Sequence, residues 1–403
     1  MKSFRRANQL GLLAFLVVTA PASAENIFVF FGTYTNALSR GIYVSRLDTD
    51  SGILSAPELA AATASPCYLA VSPDEKYLYA ANSAGSAPDR GNGLVSAFAL
   101  DKGSGQLALL NQVPAGGFGP CHVSVNATGR ILLVANYDNG AIKSLAILPD
   151  GRLGSGGALV LTQGHGVNLK RQSGPHAHCV AADPSNRFVL ECDLGTDKVV
   201  IYRLNPDDDT LTANTPAFGM VPPGAGARHL AFSRDGKFVH VINELACTIT
   251  TFAWDEKLGK LNPVETVSAL PPGVAVSPDF TAAEILVHPS GQFIYATVRG
   301  HDSVSVFAAD ERSGRLRFVQ NVSAGGEVPR GMGLDPTGRW LIVANQKSDN
   351  VVEFSIDAAT GKLSATGRQL KIGSPVDVKC VRSPVSKSKP ANAPRVSHLP
   401  ATA

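Results

Sequence analysis

A single strand–turn–strand pattern recurs six times along the 403 residues of this chain, and it limits the fold more tightly than any other feature. Each copy opens on a Pro or Gly turn and continues as an alternating apolar strand. A tight turn bearing Pro, Asp or Gly follows, then a second apolar strand ending in a polar residue. The copies run Ser65–Ser83, Gly119–Tyr137, Gly174–Leu194, Gly226–Glu244, Ala282–Arg299 and Val328–Gln346. Their first turn residues are Ser72, Asn126, Asp183, Ser233, His288 and Asp335, spaced 54, 57, 50, 55 and 47 apart. A third strand follows, as at Asp197–Leu204 and Asp302–Ala309, then a hairpin turn and a short fourth strand, as at Thr360–Gly367. Four short strands per period near fifty predict propeller blades.

The count closes at seven. Ser374–Cys380 reads as a first strand with no second, and Asn26–Thr35 as a second strand with no first. Joined, they supply the missing blade and remove the exposed edge of an open array. The expected fold is therefore all-β: a seven-bladed β-propeller with four-stranded blades, its ring closed by strands from both termini. Two stacked β-sandwiches would not repeat one pattern throughout. No long amphipathic helix supports an α/β fold, and 39 Gly and 26 Pro spread along the chain exclude a coiled coil. A hydrophobic content of 44% suffices for a large core.

The ends read differently. Lys2, Arg5 and Arg6 precede the apolar run Leu10–Ala20, and Ala22-Ser23-Ala24 offers a cleavage site. Residues 1–24 are thus expected to be a signal peptide, 25–382 the propeller, and the Pro-, Ser- and Lys-rich 383–403 a disordered tail. The mature chain is expected to be periplasmic or secreted, with no membrane span after cleavage. A net charge of +3 gives no argument for a nucleic-acid partner.

In a propeller the start of each first strand and the end of each second strand meet at one mouth of the axial channel. Four or five residues before the turn residues stand Tyr68, His122, His178, Arg228 with His229, Glu284 and Arg330. Ten or eleven after them stand Asn82, Asn136 with Tyr137, Asp193, Asn243 with Glu244, Arg299, and Asn345 with Gln346. His176 lies two residues before His178, after a longer connection carrying Lys170-Arg171-Gln172. The asparagines have a plainer role available, satisfying turn backbone, and Arg330 could pair with a carboxylate between blades. As a set, ionisable groups gathered in a concave mouth mark a site.

From Asn26 to Cys380 these residues resemble the lactonase family of seven-bladed propellers. The carriers are FGTYT (Phe31–Thr35), GIYV (Gly41–Val44), RQSGPHAH (Arg171–His178), GARH (Gly226–His229), NEL (Asn243–Leu245), ATVRG (Ala296–Gly300), PRG (Pro329–Gly331) and ANQKSDNV (Ala344–Val351). Each is weak alone; their order and spacing are specific. Family members often read GPRH where this chain has Gly226-Ala227-Arg228-His229. The resemblance implies hydrolysis of a sugar lactone, of the 6-phosphogluconolactone or gluconolactone kind. It implies a catalytic set of His178, Arg228, Glu244 and Arg299.

Lactone hydrolysis needs an activated water and positive charge where the oxyanion forms. His178 is expected to be the base, with Glu244 kept ionised by its arginines. Arg228 and Arg299 would hold the acyl oxygen or an anionic group of the substrate. Arg171, His176, His229, Glu284 and Arg330 are expected to bind substrate. Run in reverse, the same chemistry is that of a muconate-type lactonising cyclase, and a non-catalytic propeller binding a ligand or protein is the third reading. No cofactor or metal is expected: the histidines lack tight ligand spacing, and neither CxxCH nor GxSxG occurs. The expected partner is a small anionic or sugar lactone, and the expected state a monomer.

Six cysteines are present: Cys67, Cys121, Cys179, Cys192, Cys247 and Cys380. Export would permit disulfides. Cys179 and Cys192 lie on adjacent strands of one blade, and Cys67 and Cys121 at equivalent positions of neighbouring blades. These are the two candidate bridges, set against buried free thiols throughout.

Overall fold

The computed structural model describes residues 26–83, 93–205 and 209–383. The leader read in 1–24 and all but the first residue of the tail read in 383–403 lie outside them. The described strands form seven sheets of four antiparallel strands each. The inner strands of blades 1 to 7 are Pro66–Val71, Pro120–Val125, Ala177–Ala182, Ala227–Phe232, Thr281–Val287, Pro329–Leu334 and Pro375–Arg382. In blade 7 the C-terminal Pro375–Arg382 pairs with the N-terminal Asn26–Thr33, bringing Phe30 opposite Lys379 and Ile27 opposite Arg382. The ring is closed by strands from both ends of the chain, as expected.

Burial follows position within the blade. The second strands Ile131–Asn136, Phe188–Asp193 and Phe238–Asn243 are buried at every residue, because neighbouring blades cover both faces. The outermost strand Leu211–Met220 is exposed at most positions.

The repeated turn residue has a mechanical role. Ser72 Oγ, Asn126 Oδ1, Asp183 Oδ1, Ser233 Oγ and Asp335 Oδ1 each accept the amide five residues on, at 2.7 to 3.1 Å. His288 Nδ1 accepts the Ser290 amide instead, at 3.1 Å. Short polar side chains that can satisfy turn amides therefore recur there.

Neighbouring blades are locked by glycines in the hairpins between third and fourth strands. Gly52, Gly105, Gly151, Gly259, Gly314 and Gly361 lie flat on Trp340, Phe28, Tyr77, Phe188, Phe238 and Phe293 of the preceding blade. At Gly314, with φ +70, an added Cβ would stand 2.3 Å from the Phe238 ring, so both backbone and space require glycine.

Neither candidate disulfide is formed: all six cysteines are free thiols, the alternative set against them. Cys67 Sγ donates to Pro120 O at 3.3 Å and Cys121 Sγ to Ala177 O at 3.5 Å. Each thiol thus faces the carbonyls of the next blade rather than the other thiol. Cys179 and Cys192 are direct cross-strand partners whose thiols hydrogen-bond to each other without being joined, and Cys179 Sγ also lies 3.5 Å from His122 Nε2.

Candidate active site at the axial mouth

An irregularity repeated in all seven inner strands builds the site. Each loses register with its second strand near its start, leaving Cys67, Cys121, His178, Arg228, Ala283 with Glu284, Arg330 and Val376 out of the ladder. Such a bulge re-aims a side chain. In every blade a bulge residue borders one of two cavities on the axis. The upper cavity, about 290 Å³, opens at the mouth between Tyr34, Cys121, Tyr137, His178, Arg299 and Arg330.

Glu244 organises this mouth. Its Oε1 accepts from Arg171 at 2.6 Å, and its Oε2 from Arg228 Nε at 3.0 Å and Arg299 at 2.9 Å. Burial alone would raise the Glu244 pKa; Arg299, Arg228 and Arg171 outweigh it and hold the carboxyl at about 2. Arg228 is fully buried and also donates to Ala283 O. Burial, against the pull of Glu244, brings Arg299 down to about 10. Arg330 differs from the other three. Its guanidinium lies over the Tyr34 ring at 5.6 Å, and among the described residues no carboxylate pairs with it.

His178 lines the mouth cavity, its Nε2 4.0 Å from Glu244 Oε2. Burial, Arg228 and His229 push its pKa well below the usual value, so the ring is neutral at neutral pH. Among the described residues no cluster of His, Cys, Asp and Glu is arranged to hold a metal ion.

Most of the residues read from the sequence converge here. His178, Arg171, Arg228, Glu244, Arg299 and Arg330 surround the mouth. His229 and Glu284 stand one layer deeper, bonded to each other at 2.8 Å. His122 and Tyr68 are in that deeper layer too, their rings 4.2 Å apart. His176 is on the rim, stacked on Tyr137 at 4.4 Å, with its Nδ1 2.8 Å from Tyr137 O. The asparagines take the plainer role: Asn82, Asn136 and Asn345 donate to loop carbonyls at 2.7 to 3.1 Å. Sequence reasoning missed Tyr34. It lies in FGTYT at the end of the split blade's second strand, where no first-to-second turn exists from which to count.

Comparison with known proteins shows the family. The sequence profile of the lactonase family, described as a seven-bladed beta-propeller, matches residues 28–380. The chain belongs to that family. It is 36% identical over 355 residues to a 6-phosphogluconolactonase of Bacillus subtilis, covering 87% of this chain and 97% of that one. A 6-phosphogluconolactonase of Formosa agariphila is 29% identical over 85% of this chain and 96% of its own. Among solved structures, a periplasmic gluconolactonase of Pseudomonas aeruginosa is 33% identical with a TM-score of 0.83, covering 89% of this chain and 100% of that one.

Proposed function

We propose that this protein hydrolyses an anionic sugar lactone at the axial mouth. The observation that carries the reading is the charge of the cavity. Four arginines face it or floor it, Glu244 engages three of them, and Arg330 keeps its donors for a ligand. Arg330 and Arg299 would hold the acyl oxygen and the anionic group, as planar guanidinium forks suit both. Arg228 would place positive charge beneath the developing oxyanion. Tyr137, backed by His176, would wall the sugar ring. A neutral histidine would take the proton of the attacking water. The names of the relatives, a 6-phosphogluconolactonase and a periplasmic gluconolactonase, support a sugar-lactone substrate. The signal-peptide pattern read in residues 1–24 and the periplasmic neighbour support a reaction outside the cytoplasm. Among the described residues no helix is long and apolar enough to cross a membrane.

The test is acid release from 6-phosphogluconolactone and from gluconolactone, each corrected for spontaneous hydrolysis. Charge-assisted hydrogen bonds contribute about 1.5–3 kcal/mol. The phosphorylated lactone is therefore expected to show kcat/KM about 10- to 100-fold higher, an advantage that shrinks as salt is added. No release above the spontaneous rate from either lactone would refute the proposal.

A further inference from the structure

Beneath the mouth the axis continues into a second cavity of about 10 Å³, room for one water. It shares Tyr34, Cys121 and Arg330 with the mouth cavity, and its remaining walls include Tyr68, His229 and Glu284. His229 and Glu284 come from neighbouring inner strands, with Nδ1 and Oε1 2.8 Å apart. The same Glu284 oxygen accepts the Ile285 amide at 3.1 Å, which fixes the carboxyl. The second ring nitrogen of His229, Nε2, is fully buried and has no hydrogen-bond partner. The rings of Tyr68, His122 and His178 stand around the His229 ring at centroid-to-centroid distances of 5.5, 5.3 and 5.1 Å. A buried polar nitrogen without a partner is costly unless a ligand completes it.

His178 is held more loosely. Its Nε2 is 4.0 Å from Glu244, whose oxygens are engaged by three arginines, and its Nδ1 is 4.0 Å from Cys121 Sγ. A histidine base needs a second group to fix its tautomer and ring orientation. His229 has a carboxylate at 2.8 Å; the polar side-chain atoms nearest the His178 ring stand at 4.0 Å.

We propose that His229, oriented by Glu284, is the general base of this site, and that the hydrolytic water occupies the inner cavity. The inference rests on the lactone-hydrolysis reading of the mouth. Glu284 accepts Nδ1–H, and the Nε2 lone pair is left for the water. As Nε2 takes one of its protons, the water oxygen bonds to the acyl carbon. The bond from that carbon to the ring oxygen then breaks, and the ring oxygen takes the proton from Nε2. The product is a hydroxy acid, which ionises to solvent, and the pair returns to its starting state. Burial and the adjacent Arg228 hold the His229 pKa well below its usual value, so the ring begins in the proton-accepting form.

The test measures steady-state hydrolysis of 6-phosphogluconolactone by the full chain and its variants. His229→Gln is expected to lower kcat by about 100- to 10,000-fold, with KM held within about threefold. Glu284→Gln, a change at a positioning residue, is expected to lower kcat by about 10- to 100-fold with KM unchanged. In His229→Gly, added imidazoles are expected to restore turnover in the order of their basicity, which a packing role would not produce. If the wild type turns over neither this lactone nor gluconolactone, the lactonase reading itself fails. If the wild type turns over and His229→Gln keeps kcat within about threefold, the assignment of the base is overturned and the lactonase reading stands. A loss that no imidazole restores has the same meaning. Should His229→Gln fail to fold, unchanged kcat in Glu284→Gln overturns the assignment.

Discussion

Glu244→Gln is expected to cost about 3–5 kcal/mol of stability at pH 7 and to abolish activity with it. The carboxylate is buried and binds three guanidinium groups, one of them the fully buried Arg228. Removing its charge leaves those cations facing one another without compensation. The pH dependence follows from the same contacts. The folded carboxyl titrates at about 2 against an ordinary 4.5, so the unfolded chain binds this proton more readily. The contribution of Glu244 is then complete above about pH 4.5 and is lost as pH falls towards 2. A shift of that size corresponds to about 3 kcal/mol, in keeping with the mutational figure. Urea midpoints of wild type and variant should be far apart at pH 7 and converge as the pH is lowered through that window. Equal midpoints at pH 7 would show that the arginines do not depend on Glu244.

A chain ending at Gly373 is expected not to fold. It lacks the inner strand Pro375–Arg382, which carries the buried Val376, Val378 and Val381. Each such valine contributes about 1.5–3 kcal/mol by burial. The strand also supplies the ladder partners of Asn26–Thr33 and covers the edge of Phe28 and Phe30. The combined loss is comparable with the whole stability of an ordinary domain, about 5–15 kcal/mol. Far-ultraviolet circular dichroism with a thermal melt checks this. A cooperative transition at the wild-type temperature would mean that the ring does not need its closing strand.

Blade number and closure were legible because both depend on spacing. Short polar acceptors at Ser72, Asn126, Asp183, Ser233 and Asp335 cap one turn type at each repeat, so their positions count the blades. Arg228, Arg299 and Arg330 were legible by the same counting, since turn and mouth are joined by strands of fixed length; Arg171 was read only from the longer connection before His176. Depth within the channel was not. A regular strand would send Arg228 and His229 to opposite faces. The bulge instead brings both to the axis, Arg228 hydrogen-bonded to Glu244 and His229 below it on Glu284. Counting therefore could not separate the layer of His229 and Glu284 from that of the mouth. Whether a bridge forms was equally hidden: Cys179 and Cys192 are opposite in register and their thiols hydrogen-bond, yet both remain free, with His122 also beside Cys179 Sγ.

The central claim is that the arginine-lined axial mouth is where the lactone is bound and opened. A crystal structure with 6-phosphogluconate, the hydrolysis product, tests it most directly. The account predicts the product in the mouth cavity, one anionic group against Arg330 and Arg299 and the sugar chain along Tyr137. A product molecule bound in a groove between blades, with the mouth unchanged at saturating concentration, would contradict it.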